Sequence, residues 1–135
     1  MGLMVDTNVF IKIERSGKPA ALSAFGQTER MFISAVSVSE LLLGVYGADT
    51  EERRQRRAAF VEQVLADFEV LDFTTEVARV HAQIHYQLGK EGRVIGAHDL
   101  MIAATALQHV LPVLTANKRE FSRVPNLHVI PYSAK

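Results

Sequence analysis

The chain has no cysteine among its 135 residues. That absence removes disulfides, thiolate metal sites, iron–sulfur clusters and a cysteine nucleophile from consideration. Long apolar runs are missing too. The most apolar stretch, residues 101–107, falls far short of the roughly 20 residues needed to span a bilayer. The start is not built like a signal peptide, since Asp6 interrupts the first apolar segment and no basic stretch precedes it. Cytoplasmic residence with no membrane partner is the expectation. Net charge is absent as well, 15 Lys and Arg balancing 15 Asp and Glu. No whole-molecule field draws in nucleic acid, which argues against a simple sequence-reading DNA binder. It does not argue against an enzyme that meets a phosphodiester through a metal and a local basic patch. Aromatic residues are only 7% of the chain, and no aromatic-interleaved basic stripe is laid out for base stacking.

What remains is an ordinary globular composition, 48% hydrophobic and 22% charged, at a length suited to a single domain over residues 1–135. Short apolar runs at residues 3–5, 31–36, 69–73, 112–115 and 127–130 read as strands. Between them lie helical patterns: residues 9–13, residues 19–29 opened by Pro19, and an apolar helix at Leu41-Leu42-Leu43. An amphipathic helix follows over residues 49–67, then one with Val77, Val80, Ile84 and Leu88 on a face, capped by Thr74 or Thr75. A nearly all-apolar helix begins at Asp99, and a short helical turn covers Lys118 to Arg123. Strands alternating with helices imply βαβ units. The expected fold is a three-layer α/β/α sandwich around a parallel sheet of four to five strands.

Four acids, Asp6, Glu40, Asp99 and Glu120, fall where strand-like segments give way to helices. Each has an ordinary structural reading. Asp6 and Asp99 suit helix N-caps, Ser37-x-x-Glu40 matches a capping box, and Glu120 suits a solvated turn. Their joint placement says more. In an open parallel sheet the C-terminal strand ends converge on one crevice. At about 5 Å and an effective dielectric of about 20, each carboxylate pair there costs roughly 3 kcal/mol. Such a cluster is tolerable when protonated or when it holds a hard cation such as Mg²⁺ or Mn²⁺. Thr7, Asn8, Thr115 and Asn117 add short polar groups at the same rim, suited to orienting carboxylates or to plain turn chemistry.

Asp6-Thr7-Asn8, Ser39-Glu40-Leu41-Leu42, the run from His98 to Ala104, Leu114-Thr115-Ala116-Asn117 and the closing stretch Asn117 to Leu127 occur in an order that resembles the PIN-domain ribonucleases. The likeness is greatest to the VapC toxins of type II toxin–antitoxin pairs and covers essentially the whole chain. The resemblance implies a PIN-like fold and a Mg²⁺- or Mn²⁺-dependent endoribonuclease. It also implies a homodimer, and a toxin–antitoxin hetero-oligomer in which a VapB-type antitoxin silences the enzyme by helix-in-groove contacts. It assigns metal binding to Asp6, Glu40 and Asp99. Where the family carries a fourth acid, usually Asp, this chain offers Glu120. Thr7, Thr115 and Asn117 match the supporting polar positions.

Two rivals belong to other classes. A receiver-like phospho-acceptor domain also needs an acidic Mg²⁺ pocket, but the adjacent Asp pair expected after its first strand is missing. A catalytically inactive PIN-fold binding module is the other, and the intact Asp6, Glu40 and Asp99 count against it. His81 and His85, four residues apart on one helical face, read as packing rather than as metal ligands. His98 is a candidate for phosphate contact. The arginines of residues 53–57 read first as a solvated helix face, with Glu52 and Arg56 at pairing distance along the helix.

Overall fold

Successive residues of a strand point to opposite faces of the sheet, so a strand apolar throughout must be covered on both sides. The computed structural model describes residues 2–18 and 30–133. In β1 (Gly2–Val5), Leu3 and Val5 enter one core and Met4 the other. In β2 (Arg30–Ser34), Met31 and Ile33 are divided from Phe32 in the same way. With β3 (Glu69–Leu71), β4 (Val113–Thr115) and β5 (Val129–Pro131) they form a five-stranded parallel sheet ordered β3-β2-β1-β4-β5.

Helices α1 (Thr7–Arg15), α2 (Ala35–Tyr46) and α3 (Glu51–Asp67) close the core that holds Leu3 and Val5, through Phe10, Ile13, Leu41, Phe60 and Val64. On the other face α4 (Thr75–Lys90), α5 (Ala97–Gln108) and the short α6 (Lys118–Phe121) contribute Val77, Leu88, Ile102 and Phe121. The three-layer α/β/α architecture is as expected. So is the burial of α5, whose residues 102–106 are shielded from solvent on every side.

Several boundaries differ from the sequence reading. The second strand stops at Ser34, not at residue 36, because the Ser34 hydroxyl accepts the N–H of Val36 and caps α2 three residues earlier than expected. α3 begins at Glu51, where Thr50 accepts the N–H of Arg53. Thr74 is the cap of α4. The last strand begins at Val129. The helix expected over residues 19–29 lies outside the described residues.

Strand order positions the site. β2 and β3 extend to one side of β1, while β4 and β5 extend to the other. The direction of winding therefore reverses between β1 and β4, and open α/β sheets bind ligands outside the strand ends at such a reversal. The order also dismisses the receiver-like alternative. That fold arranges its strands 2-1-3-4-5, whereas here β1 lies between β2 and β4.

α5 ends in a left-handed turn built on the wrong residue. Leu111 N–H returns to the Ala106 carbonyl at 2.8 Å and Val110 N–H to Leu107 at 3.1 Å, with Val110 at φ 55°. A β-branched side chain in that conformation is strained by roughly 1–2 kcal/mol, and Val110 is 88% exposed, so it gains almost no burial in return. Val110→Gly is expected to stabilise the protein by about 1 kcal/mol, measured by urea unfolding. An unchanged or lower midpoint would contradict this reading of the turn.

Candidate active site

The β1–β4 junction is drawn together by backbone first. Asp6 N–H donates to the Leu114 carbonyl at 2.9 Å, which extends the ladder one residue past β1. That register sets Asp6 beside Thr115, whose hydroxyl donates to Asp6 Oδ2 at 2.8 Å. Asn117 N–H donates in turn to Thr115 Oγ1 at 2.8 Å, and Ala116 N–H to Asn8 Oδ1 at 3.3 Å. Asp6 occupies the N-cap position of α1 but caps nothing with its side chain. Its carboxyl faces the crevice.

Thr7, one residue on, faces α2. Its hydroxyl oxygen lies 2.6 Å from Glu40 Oε1 and 2.7 Å from Ser37 Oγ. A hydroxyl has one proton to give. With that proton on the carboxylate, the Ser37 hydroxyl is the donor of the second contact. The capping-box reading of Ser37 and Glu40 fails, because Ser34 is the cap and Glu40 is the sixth residue of the helix. Its other oxygen, Oε2, lies 3.3 Å from His98 Nδ1.

Asp99 does not cap α5 either. Gly96 holds that position, and Asp99 stands in the first turn. Asn117 uses its side-chain amide on two acids, donating to Glu120 Oε2 and also to Asp99. Glu120 is thereby brought to the cluster. Ser37 is a contributor that the sequence pattern points away from, because its spacing to Glu40 reads as a capping box; His98, a candidate for phosphate contact, lies instead against Glu40.

The four acids feel one another. Burial pushes the Asp6 carboxyl up to about 7; the Thr115 hydrogen bond opposes this, and the charges of Asp99 and Glu40 add to it. Asp99 is raised too, first by burial and then by Glu120 and Glu40, against His98 and Asn117. Asp6 is 1% exposed. Among the described residues no Lys or Arg lies within 4.0 Å of any of the four acids, and the one ionisable partner is His98.

A PIN-domain family model matches residues 3–127, nearly the whole of the chain. The chain belongs to the PIN-domain family. Its likeness is to VapC proteins in particular. A ribonuclease VapC of Rickettsia bellii is 39% identical over 135 residues, covering 100% of this chain and 99% of that one. A tRNA(fMet)-specific endonuclease VapC of Salmonella typhimurium is 35% identical over 127 residues, 93% of this chain and 94% of the relative. In structure, DNA-bound VapBC from Salmonella typhimurium aligns with a TM-score of 0.87 at 31% identity, over 98% of this chain and 99% of that one. FitAcB from Neisseria gonorrhoeae aligns at 0.80 and 30% identity, over 95% of this chain and 96% of the other.

As a metal site, this PIN domain is suited by donor type rather than by a finished cage. Its acids offer hard oxygens, the ligands Mg²⁺ and Mn²⁺ take. Among the described residues no three His, Asp or Glu side chains are already arranged to enclose an ion. Their oxygens are instead directed to Thr7, Thr115, Asn117 and His98. His81 and His85 meet edge to face, 5.6 Å between ring centres, without a third ligand.

A raised carboxyl makes stability fall with rising pH. Between the ordinary value of 3.8 and about 7, folded Asp6 keeps a proton that the unfolded chain has released. Without metal, the PIN domain is expected to gain stability as pH falls from 7 toward 4, by on the order of 4 kcal/mol from Asp6. Asp6→Asn should flatten that part of the profile and raise the melting temperature at pH 8. Thermal unfolding in EDTA across this range is the check, and stability that climbs with pH in the wild type but not in Asp6→Asn would refute it.

Proposed function

We propose that the chain is a VapC-type endoribonuclease toxin that hydrolyses RNA phosphodiester bonds with Mg²⁺ or Mn²⁺ and is neutralised by a VapB-type antitoxin. The observation that carries this reading is the gathering of Asp6, Asp99, Glu40 and Glu120 at one sheet reversal, with no Lys or Arg within 4.0 Å of them among the described residues. The names of the relatives support the activity: ribonuclease VapC from Rickettsia bellii and a tRNA(fMet)-specific endonuclease from Salmonella typhimurium. The similar solved complexes are VapBC and FitAcB, which supports a VapB-type partner and a hetero-oligomer.

Asp6, Asp99 and Glu40 are the residues that would hold the ion. When bound, a hard divalent cation lowers the pKa of water and offsets charge on the phosphate oxygens. The rest falls to the chain. Thr115 fixes the orientation of the Asp6 carboxyl through Oδ2. Thr7, with Ser37 behind it, holds Glu40 against rotation. Asn117 ties Glu120 to the same hollow, where Glu120 is the acid left to accept a proton from the attacking water. Cysteine is absent, and no step requires a side-chain nucleophile.

Incubation of the purified protein with total RNA should give cleavage in Mg²⁺ or Mn²⁺ and none in EDTA. Asp6→Asn and Asp99→Asn should each lower the rate at least ~100-fold with circular dichroism unchanged. Below pH 7 the cation must displace the proton on Asp6, so the metal concentration for half-maximal rate should rise as pH falls. Equal cleavage by wild type and both variants would overturn the assignment and leave the inactive binding module as the better description.

A further inference from the structure

One of the four acids, Glu40, also lines a groove that the proposed reaction does not explain. From Glu40 the groove passes Leu41 and Gly44 of α2 and the α3 residues Phe60 and Val61, and reaches Arg15 and Arg57. A second cleft continues it, lined by Arg15, Arg53, Arg56 and Arg57 with Glu14 as its one acid. In a chain of zero net charge this is a marked segregation of sign.

The arginines are not equivalent. Arg57 is structural: it donates to the Gly44 carbonyl at 2.9 Å and lies 3.5 Å from Glu14, tying α3 to α1 and α2. Arg53 is paired with Asp49, and Arg54 with Glu51. The expected Glu52–Arg56 pair does not form, and among the described residues neither Arg56 nor Arg15 has an acid within 4.0 Å. Both are exposed. Two guanidiniums with no acid partner among the described residues therefore line a cleft that joins the groove running to Glu40, and guanidinium matches phosphate oxygens in bidentate geometry.

We infer that Arg15 and Arg56 hold phosphates of the RNA strand on one side of the scissile bond, along the α1–α3 cleft, and that the groove past Gly44 leads the strand to Glu40. This rests on the nuclease reading above. Contacts to phosphate alone position a strand without reading its bases. They act on ground and transition state alike, so they set KM and leave kcat unchanged.

The test compares wild type with Arg15→Gln/Arg56→Gln, and with Arg79→Gln/Arg93→Gln as a charge control away from the cleft. Binding of a fluorescein-labelled single-stranded RNA 20-mer is measured in EDTA over a range of KCl, and cleavage of total RNA in Mg²⁺. Each lost phosphate contact lowers the slope of log K against log [salt] by about 0.7. The cleft variant should lose about 1.4 of slope and show a KM raised roughly tenfold at unchanged kcat, while the control stays near wild type. Unchanged slope and KM, or equal losses in the control, would overturn the inference. So would intact RNA binding in a variant that no longer binds a cognate antitoxin, because the arginines then serve a protein partner. If wild type fails to cleave, the nuclease reading falls, and the EDTA salt slopes still decide whether the cleft holds RNA.

Discussion

The Thr115 hydroxyl on Asp6 Oδ2 is the contact on which the site depends. It spans 109 positions of sequence and the one place where the sheet reverses its winding. Without the ladder between β1 and β4, Asp6 would be one more helix N-cap, turned to the backbone N–H groups of α1. With it, the carboxyl is held against a neighbouring strand and makes no side-chain cap hydrogen bond to the helix. The same register hangs a short relay on Thr115, since Asn117 N–H donates to the same oxygen and the Asn117 side chain then reaches Glu120 and Asp99. One strand pairing thus orders three of the four acids, and Thr7 with Ser37 orders the fourth from α2.

That arrangement costs stability. A buried carboxyl flanked by others and lacking a cationic partner is what folding ordinarily avoids. Here the surroundings supply neutral hydroxyls and an amide, which fix geometry without cancelling charge. The acids are left to take a proton or a cation, and the two compete for the same oxygens. Strain of this kind persists where a fold over-determines it. The two apolar cores on either side of the sheet, which hold β1 and β4 in place, provide that.

Much of this was legible in the sequence, for identifiable reasons. Strands apolar along their length can only be central and covered twice, so the layering followed from residues 3–5 and the apolar start, residues 31–33, of the run read as 31–36. Asp6 and Asp99 were conspicuous because Asp6 follows an apolar strand directly and Asp99 opens a helix with no other Lys, Arg, Asp or Glu. Glu40 and Ser37 were placed together, though for the wrong reason. Three serines within residues 34–39 each suit a cap, and only tertiary packing decides that Ser34 takes the role and Ser37 turns inward to Thr7. The double use of the Asn117 amide was not legible at all. It depends on where α6 sits relative to α5, which no local pattern encodes.

The charge distribution follows the same logic at larger scale. Equal numbers of acids and bases carry no information about recognition until the fold sorts them. Surface pairs such as Arg30–Glu69 and Arg54–Glu51 are exposed and worth little energetically. What distinguishes this molecule is the charge that no Lys, Arg, Asp or Glu offsets among the described residues: acids at the sheet reversal, and Arg15 and Arg56 along a cleft and groove that reach Glu40. A polyanion is repelled by the first group and attracted by the second. It can approach the acids only when their charge is masked, so the groove and the proposed cation dependence become parts of one selection. On the proposed reading, the arginines set where a strand lies, and a cation at the acids lets it come close enough to be cut.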